Sequence, residues 1–119
     1  MIVQSWKILA QRYNILLFDG FSNHCLANMV EPLRAANTLS RQTLYAWRFY
    51  SLDGEAVQSS SGLVVTPHDA LNDQSGDVLI VMPSDGYLKL DNRATIRALL
   101  TAARNHGRLA GLDTGSWLL

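Results

Sequence analysis

The stretch "LAGLDTGSWLL", residues 109–119, runs apolar, breaks at Gly-Leu-Asp-Thr-Gly and resumes as a helix start would. Its G-x-D-x-G core has the spacing of the nucleophile elbow of G-x-S-x-G enzymes, the tight turn from a buried strand into a helix. Here Asp113 holds the central place. An aspartate there has two compatible uses. The turn can hold its carboxylate up beside the backbone N–H groups that open the next helix, which favour the ionised form. It can also simply cap that helix.

Working outward, two further apolar runs match a strand buried on both faces: "YNILLF", residues 13–18, and "DVLIVMP", residues 77–83. "RLAGLD", residues 108–113, reads as a third buried strand. Between them, "FSNHCLANMVEPLRAANTLSR", residues 21–41, has Leu26, Met29, Val30, Leu33 and Ala36 at helical spacing behind Ser22 as a cap. Pro32 predicts a kink or a fresh helix start, with Glu31 at the break. "YAWRFYSLD", residues 45–53, alternates as a strand, and "LVV", residues 63–65, predicts an edge or hairpin strand, with Pro67 opening a single helical turn. "NRATIRALLTAARNHG" predicts a helix that stops at Gly107. Strand, helix, strand pair, strand, helix, strand, helix start is the alternation of an α/β fold: an open, mostly parallel sheet with helices on both faces. Residues 1–12 read as a leader and 13–119 as one domain.

Composition narrows the function classes. The 119 residues are 48% hydrophobic, enough for one core, and ten Lys and Arg balance ten Asp and Glu, which leaves no basic surface for nucleic acid. A single cysteine, Cys25, excludes an internal disulfide framework and a multi-cysteine metal site. The apolar runs are too short to span a bilayer and no secretory leader opens the chain, so a cytoplasmic protein with no membrane partner is expected. No glycine pattern matches a P-loop or a dinucleotide fingerprint, and no cofactor is expected.

In such sheets ligands sit beyond the carboxyl ends of the strands. Asp19-Gly20, the segment from Met82 to Gly86, and Asp113-Thr114-Gly115 all fall there. Glu31 can face the same crevice if the helix restarts at Pro32, although a solvated helix-surface glutamate is the commoner case. Two carboxyls in one dry crevice repel, so such a pair shares a proton or binds something positive. Cys25 beside His24 is a poor nucleophile–base pair, because neighbours on a helix point apart, and it reads as a buried helix cysteine. His68 and His106 lack a second ligand at metal spacing, and His106 is explained by a helix C-terminus. Tyr45, Trp47, Phe49 and Trp117 read as core, although aromatic faces beside acids also suit a quaternary ammonium group.

Taken in order, "FDGFS", "EPLRAAN", "YSLDG", "SSSGLVV" and "GLDTGSWLL" make the chain from Tyr13 to Leu119 resemble the N-terminal sensor domain of AraC-type transcription regulators. That domain is flavodoxin-like, of the class I glutamine amidotransferase-like (ThiJ/PfpI) type. In the enzymes of that superfamily the elbow carries cysteine, commonly followed by histidine, and a helix glutamate reaches the thiol. The matching positions here are Asp113, Thr114 and Glu31, and without thiol or base the resemblance implies a ligand pocket in place of a catalytic one. It further implies a small cationic amino or quaternary ammonium effector of the betaine, carnitine or arginine type, held by Asp113 and Glu31, with N–H groups near Gly86 and Gly115 for a carboxylate, and Thr114 beside them. Also implied are a homo-oligomer and DNA binding only through a helix-turn-helix domain missing from this chain, whose sheet would be incomplete at its C-terminus. The alternatives are a ThiJ/PfpI-type enzyme, hydrolase or glyoxalase-like, and a nonfunctional truncated remnant.

Overall fold

The computed structural model describes residues 9–82 and 93–111. Its centre is β1 (Gln11–Leu17), in which Ile15, Leu16 and Leu17 are at most 1% exposed. Both faces must therefore be covered. Ile15 and Leu17 join one cluster with Phe21, Val78, Ile80 and Met82, against which Cys25, Leu26, Met29 and Val30 of α1 (Asn23–Ser40) pack. Leu16 joins a second cluster with Phe18, Leu79 and Val81, closed by Leu99 and Ala102 of the second helix, α2 (Arg93–Arg104). The period-2 alternation of β1 thus sorts its side chains between two helices on opposite faces.

After α1 the chain forms β2 (Tyr45–Ser51), then the short strands β3 (Val57–Gln58), β4 (Val64–Val65) and β5 (Asp69–Ala70), then β6 (Gly76–Met82). Beyond α2 comes β7 (His106–Gly111). The main sheet has the order β5-β2-β1-β6-β7 and every neighbour in it is parallel. Strands β3 and β4 pair antiparallel as a separate two-stranded sheet, the hairpin that "LVV" predicts. The connection from β1 moves to one side of it, to β2, whereas β6 and β7 lie on the other. Successive right-handed crossovers in opposite directions put the two helices on opposite faces.

Four expectations need correction. First, α1 runs unbroken from Asn23 to Ser40 with Pro32 inside it. Pro32 is exposed, so its ring meets solvent rather than a packed neighbour, and the helix is held before it by Cys25, Leu26, Met29 and Val30 on the core and after it by Asn37, whose Nδ2 donates to Tyr45 O and whose Oδ1 accepts from the N–H groups of Leu44 and Tyr45. Second, no helical turn follows Pro67. His68 N–H donates to Phe49 O at 2.8 Å and its Nδ1 accepts from Phe49 N–H at 2.9 Å, which draws the segment alongside β2 so that Asp69–Ala70 become the edge strand β5.

Third, α2 ends at Arg104, short of Gly107, because His106 already belongs to β7. Fourth, β7 is not a buried strand: Gly107, Arg108 and Leu109 are exposed, since β7 has β6 on one side and no described strand on the other. His106, its one buried residue, turns inward. Its Nδ1 donates to Ala102 O in the last turn of α2 at 2.6 Å, and its Nε2 accepts from Asn14 Nδ2 at 2.9 Å. Asn14 Nδ2 also reaches Ser75 O, which fixes the amide's orientation. The anticipated link between His106 and a helix C-terminus is thus a hydrogen bond to a last-turn carbonyl, and it continues into the central strand.

That clamp leaves no room at Gly76. A Cβ built there would lie 2.9 Å from Asn14 Nδ2 and 3.3 Å from the His106 ring. Gly76→Ala is therefore expected to destabilise the chain by about 1–3 kcal/mol, and Asn14→Ala by a similar amount for the unpaired buried imidazole nitrogen. Urea unfolding followed by circular dichroism checks both.

Candidate functional site

Leu17, Met82 and Gly111 end three strands that lie side by side, with Leu17 opposite Met82 and Val81 opposite Gly111. The loops that leave them therefore start from one edge of the sheet. Because the chain's direction of travel reverses between β1 and β6, this edge holds a topological switch point, where crossovers diverge and leave a crevice.

The loop after β1 is closely fixed. Gly20 takes φ 84°, a conformation that favours glycine, and its N–H donates to Gln58 O at 2.7 Å. Asp19 Oδ1 accepts from Gln58 N–H at 3.0 Å, and Ser60 N–H donates to Phe21 O at 2.9 Å. Phe21, fully buried, anchors the loop from below. Ser22 then caps α1 as its sequence predicts, accepting from Cys25 N–H at 3.2 Å. The first helical residue, Asn23, donates through Nδ2 to Ser61 Oγ, while its buried Oδ1 has no hydrogen-bond partner among the described residues. These contacts press the β3–β4 hairpin against the switch-point edge. The serines of "SSSG" bring polar groups to its rim, and nothing in their spacing announces that.

Glu31 lies at the ninth of the eighteen residues of α1, about 12 Å along the axis from its start. It is exposed, and its carboxylate accepts from Arg34 Nε at 2.8 Å, the one ion pair among the described residues. Asp113, Thr114, Gly115 and Gly86 lie outside the described residues, as does Trp117. Cys25 is half-buried and packed on the α1-side cluster, and His24 Nε2 is turned to Asn28 Nδ2 at 3.0 Å. Trp47 and Phe49 pack on that cluster too, Phe49 stacks on His68, and Tyr45 meets Tyr13 edge to face with ring centroids 6.0 Å apart. Among the described residues, no group of three or more His, Cys, Asp or Glu is placed to hold a metal ion. No described helix is long and apolar enough to cross a membrane.

No protein-family model matches the chain. Over 111 residues it is 42% identical to the HTH-type transcriptional regulator GbdR of Pseudomonas aeruginosa, a match that takes in 92% of this chain and 30% of that protein. It is 37% identical to CdhR of the same species, over 93% of this chain and 33% of that one. A third regulator, GlxA of Rhizobium meliloti, is 31% identical over 92% and 34% respectively. The chain's homologues are HTH-type transcriptional regulators. It spans about a third of the length of these relatives.

Among solved structures, an AraC family transcriptional regulator from Pseudomonas putida superposes with a TM-score of 0.71 at 29% identity, over 91% of this chain and 58% of that one. A ThiJ/PfpI family protein from Pseudomonas syringae gives 0.70 at 15% identity, over 94% and 46%. The second likeness establishes the flavodoxin-like, amidotransferase-like fold. Together with the regulator homologues it supports the resemblance carried by "FDGFS", "EPLRAAN" and "GLDTG".

Replacing the Asp19 carboxylate tests how the edge is held. Asp19→Ala leaves the Gln58 amide without its acceptor, so hydrogen exchange at Gln58 is expected to accelerate about tenfold, while exchange in the centre of β1 changes little.

Proposed function

We propose that this chain is the effector-sensing part of a transcription regulator, and that it binds a small cationic metabolite at the switch-point edge without transforming it. The observation that carries this reading is the match of more than nine-tenths of the chain to three separate regulators. DNA contact in such a protein falls to sequence outside these 119 residues, in keeping with a chain that has no excess of basic side chains. Self-association of the sensing part fits the same reading, since β7 has no second neighbour among the described strands and Leu109 is exposed on it.

At the elbow, Asp113 offers a fixed carboxylate where the ThiJ/PfpI-type enzymes carry a nucleophilic cysteine. A carboxylate binds a cationic head well and attacks a carbonyl poorly at neutral pH. Glu31 is exposed on an α1 that does not restart at Pro32 and is already paired with Arg34, so in this reading Asp113 carries the cationic head and Glu31 joins it only with a ligand that displaces Arg34. The ligand classes that fit are betaine, carnitine and arginine: a cationic head for Asp113 and Glu31, and a carboxylate for N–H groups at Gly86, Thr114 and Gly115.

Isothermal titration of the chain with glycine betaine, carnitine and arginine checks this. At least one of the three is expected to bind saturably, about tenfold or more weaker in Asp113→Asn and in Glu31→Gln, and more tightly in Arg34→Ala, which lacks the internal competitor. Equal affinity in the wild type and Asp113→Asn overturns the ligand role. Turnover of an ester or a 2-oxoaldehyde that disappears in Cys25→Ala would instead establish an enzyme.

A further inference from the structure

On the α2 side of the sheet, α2 covers β6 through Leu99 and Ala102, and among the described residues it does not extend over the first halves of β1 and β2. A cavity of about 290 Å³ opens there, floored by the two strands and walled by the loop that enters β6. Arg12 and Asn14 reach it from β1, Arg48 and Tyr50 from β2, and Gln74 and Ser75 from the loop. Arg12 is paired in register with Ala46, and Asn14 with Arg48. The two arginines are therefore diagonal neighbours on one face of adjacent strands, close enough for both guanidinium groups to address one small molecule.

Neither guanidinium forms an ion pair or a side-chain hydrogen bond among the described residues. Asp77, the nearby acid at the start of β6, directs Oδ2 to the backbone N–H of Arg12 at 2.8 Å, and no ion pair joins it to either arginine. Tyr50 adds a second, independent sign. Only 4% of its surface is exposed, it lines the cavity, and its hydroxyl has no hydrogen-bond partner among the described residues. The ring packs in the α2-side cluster, while the hydroxyl is not among the buried atoms that lack a partner and so stays accessible as a donor. Two positive forks that repel each other, beside an unused hydroxyl donor, make a site whose missing component is negative, compact and rich in acceptors.

We propose that this cavity binds a small oxyanion, a phosphate or carboxylate group, between Arg12 and Arg48 with the Tyr50 hydroxyl as a third donor. The site sits toward the amino ends of the parallel strands, away from the edge where Leu17, Met82 and Gly111 end, so it stands apart from the proposed effector pocket and takes a ligand of opposite charge. Its occupation would tie β1, β2 and the loop into β6 together.

The test is isothermal titration of the 119-residue chain with inorganic phosphate and, separately, with succinate. Saturable binding of phosphate alone marks a phosphate site and of succinate alone a carboxylate site; either supports the proposal when Arg12→Gln and Arg48→Gln each weaken binding by about tenfold and the exposed α2 variant Arg97→Gln does not. Tyr50→Phe is expected to weaken it severalfold. Absence of saturable binding with both anions, or wild-type affinity in both Arg12→Gln and Arg48→Gln, overturns it. Both arginines are exposed, so their variants are expected to fold.

Discussion

Ile15, Leu16 and Leu17 follow one another in β1 and none is more than 1% exposed, so the strand has to be enclosed from above, from below and from both sides. Each enclosure recruits a different part of the chain. Hydrogen bonding is met by β2 on one side and β6 on the other, and the two faces are met by α1 and α2. Burying each of these side chains is worth about 1.5–3 kcal/mol, and none of that is gained unless the alternation of β1 agrees with that of β6, where Val78, Ile80 and Met82 face α1 and Leu79 and Val81 face α2. A one-residue slip would exchange the two sets. The crossover directions, the helix faces and the switch-point crevice all follow from that constraint.

The constraint explains which parts of the fold can be read directly from the sequence. "YNILLF" and "DVLIVMP" announce doubly buried strands because nothing polar is tolerated on either face, and the α1 stripe of Leu26, Met29 and Val30 announces a helix lying on one of them. Legibility fails where a tertiary neighbour outweighs a local signal. Pro32 argues for a break, yet apolar packing upstream of it and the Asn37 hydrogen bonds to Leu44 and Tyr45 downstream hold a single helix. Pro67 argues for a helical turn, yet two hydrogen bonds between His68 and Phe49 turn the segment into a strand. "RLAGLD" reads as buried from its apolar content, but burial depends on having neighbours, and β7 has one among the described strands. His106 could be tied to the end of α2 from sequence alone, but its bond to Asn14, 92 residues away, follows only from β7 lying beside β6.

The candidate site was legible in a different way. Asp113, Thr114, Gly115 and Gly86 were singled out by spacing and by resemblance, and the described residues supply the frame for them rather than their geometry. Glu31 is the one member that can be placed, and it meets a cation, Arg34, on its own helix. What spacing could not supply is the role of the β3–β4 hairpin. Its bonds to Asp19, Gly20, Phe21 and Asn23 come from Gln58, Ser60 and Ser61, some 35–40 positions later, and although the two serines belong to "SSSGLVV", that stretch does not say which loop it meets.

The two ends of the sheet are held by unlike means, and the difference bears on how a signal would travel. At the amino ends, Asn14, Ser75, Ala102 and His106 join β1, the loop before β6, α2 and β7 through one chain of hydrogen bonds, with Gly76 packed against it. At the carboxyl ends, strand pairing carries the connection: Gly111 is paired with Val81 and Leu17 with Met82. The carboxyl end of β7 therefore reaches the centre of the sheet through β6, while its other end is clamped at His106. Among the described strands, β7 is thus held by a side-chain clamp at its start and by strand pairing alone at Gly111.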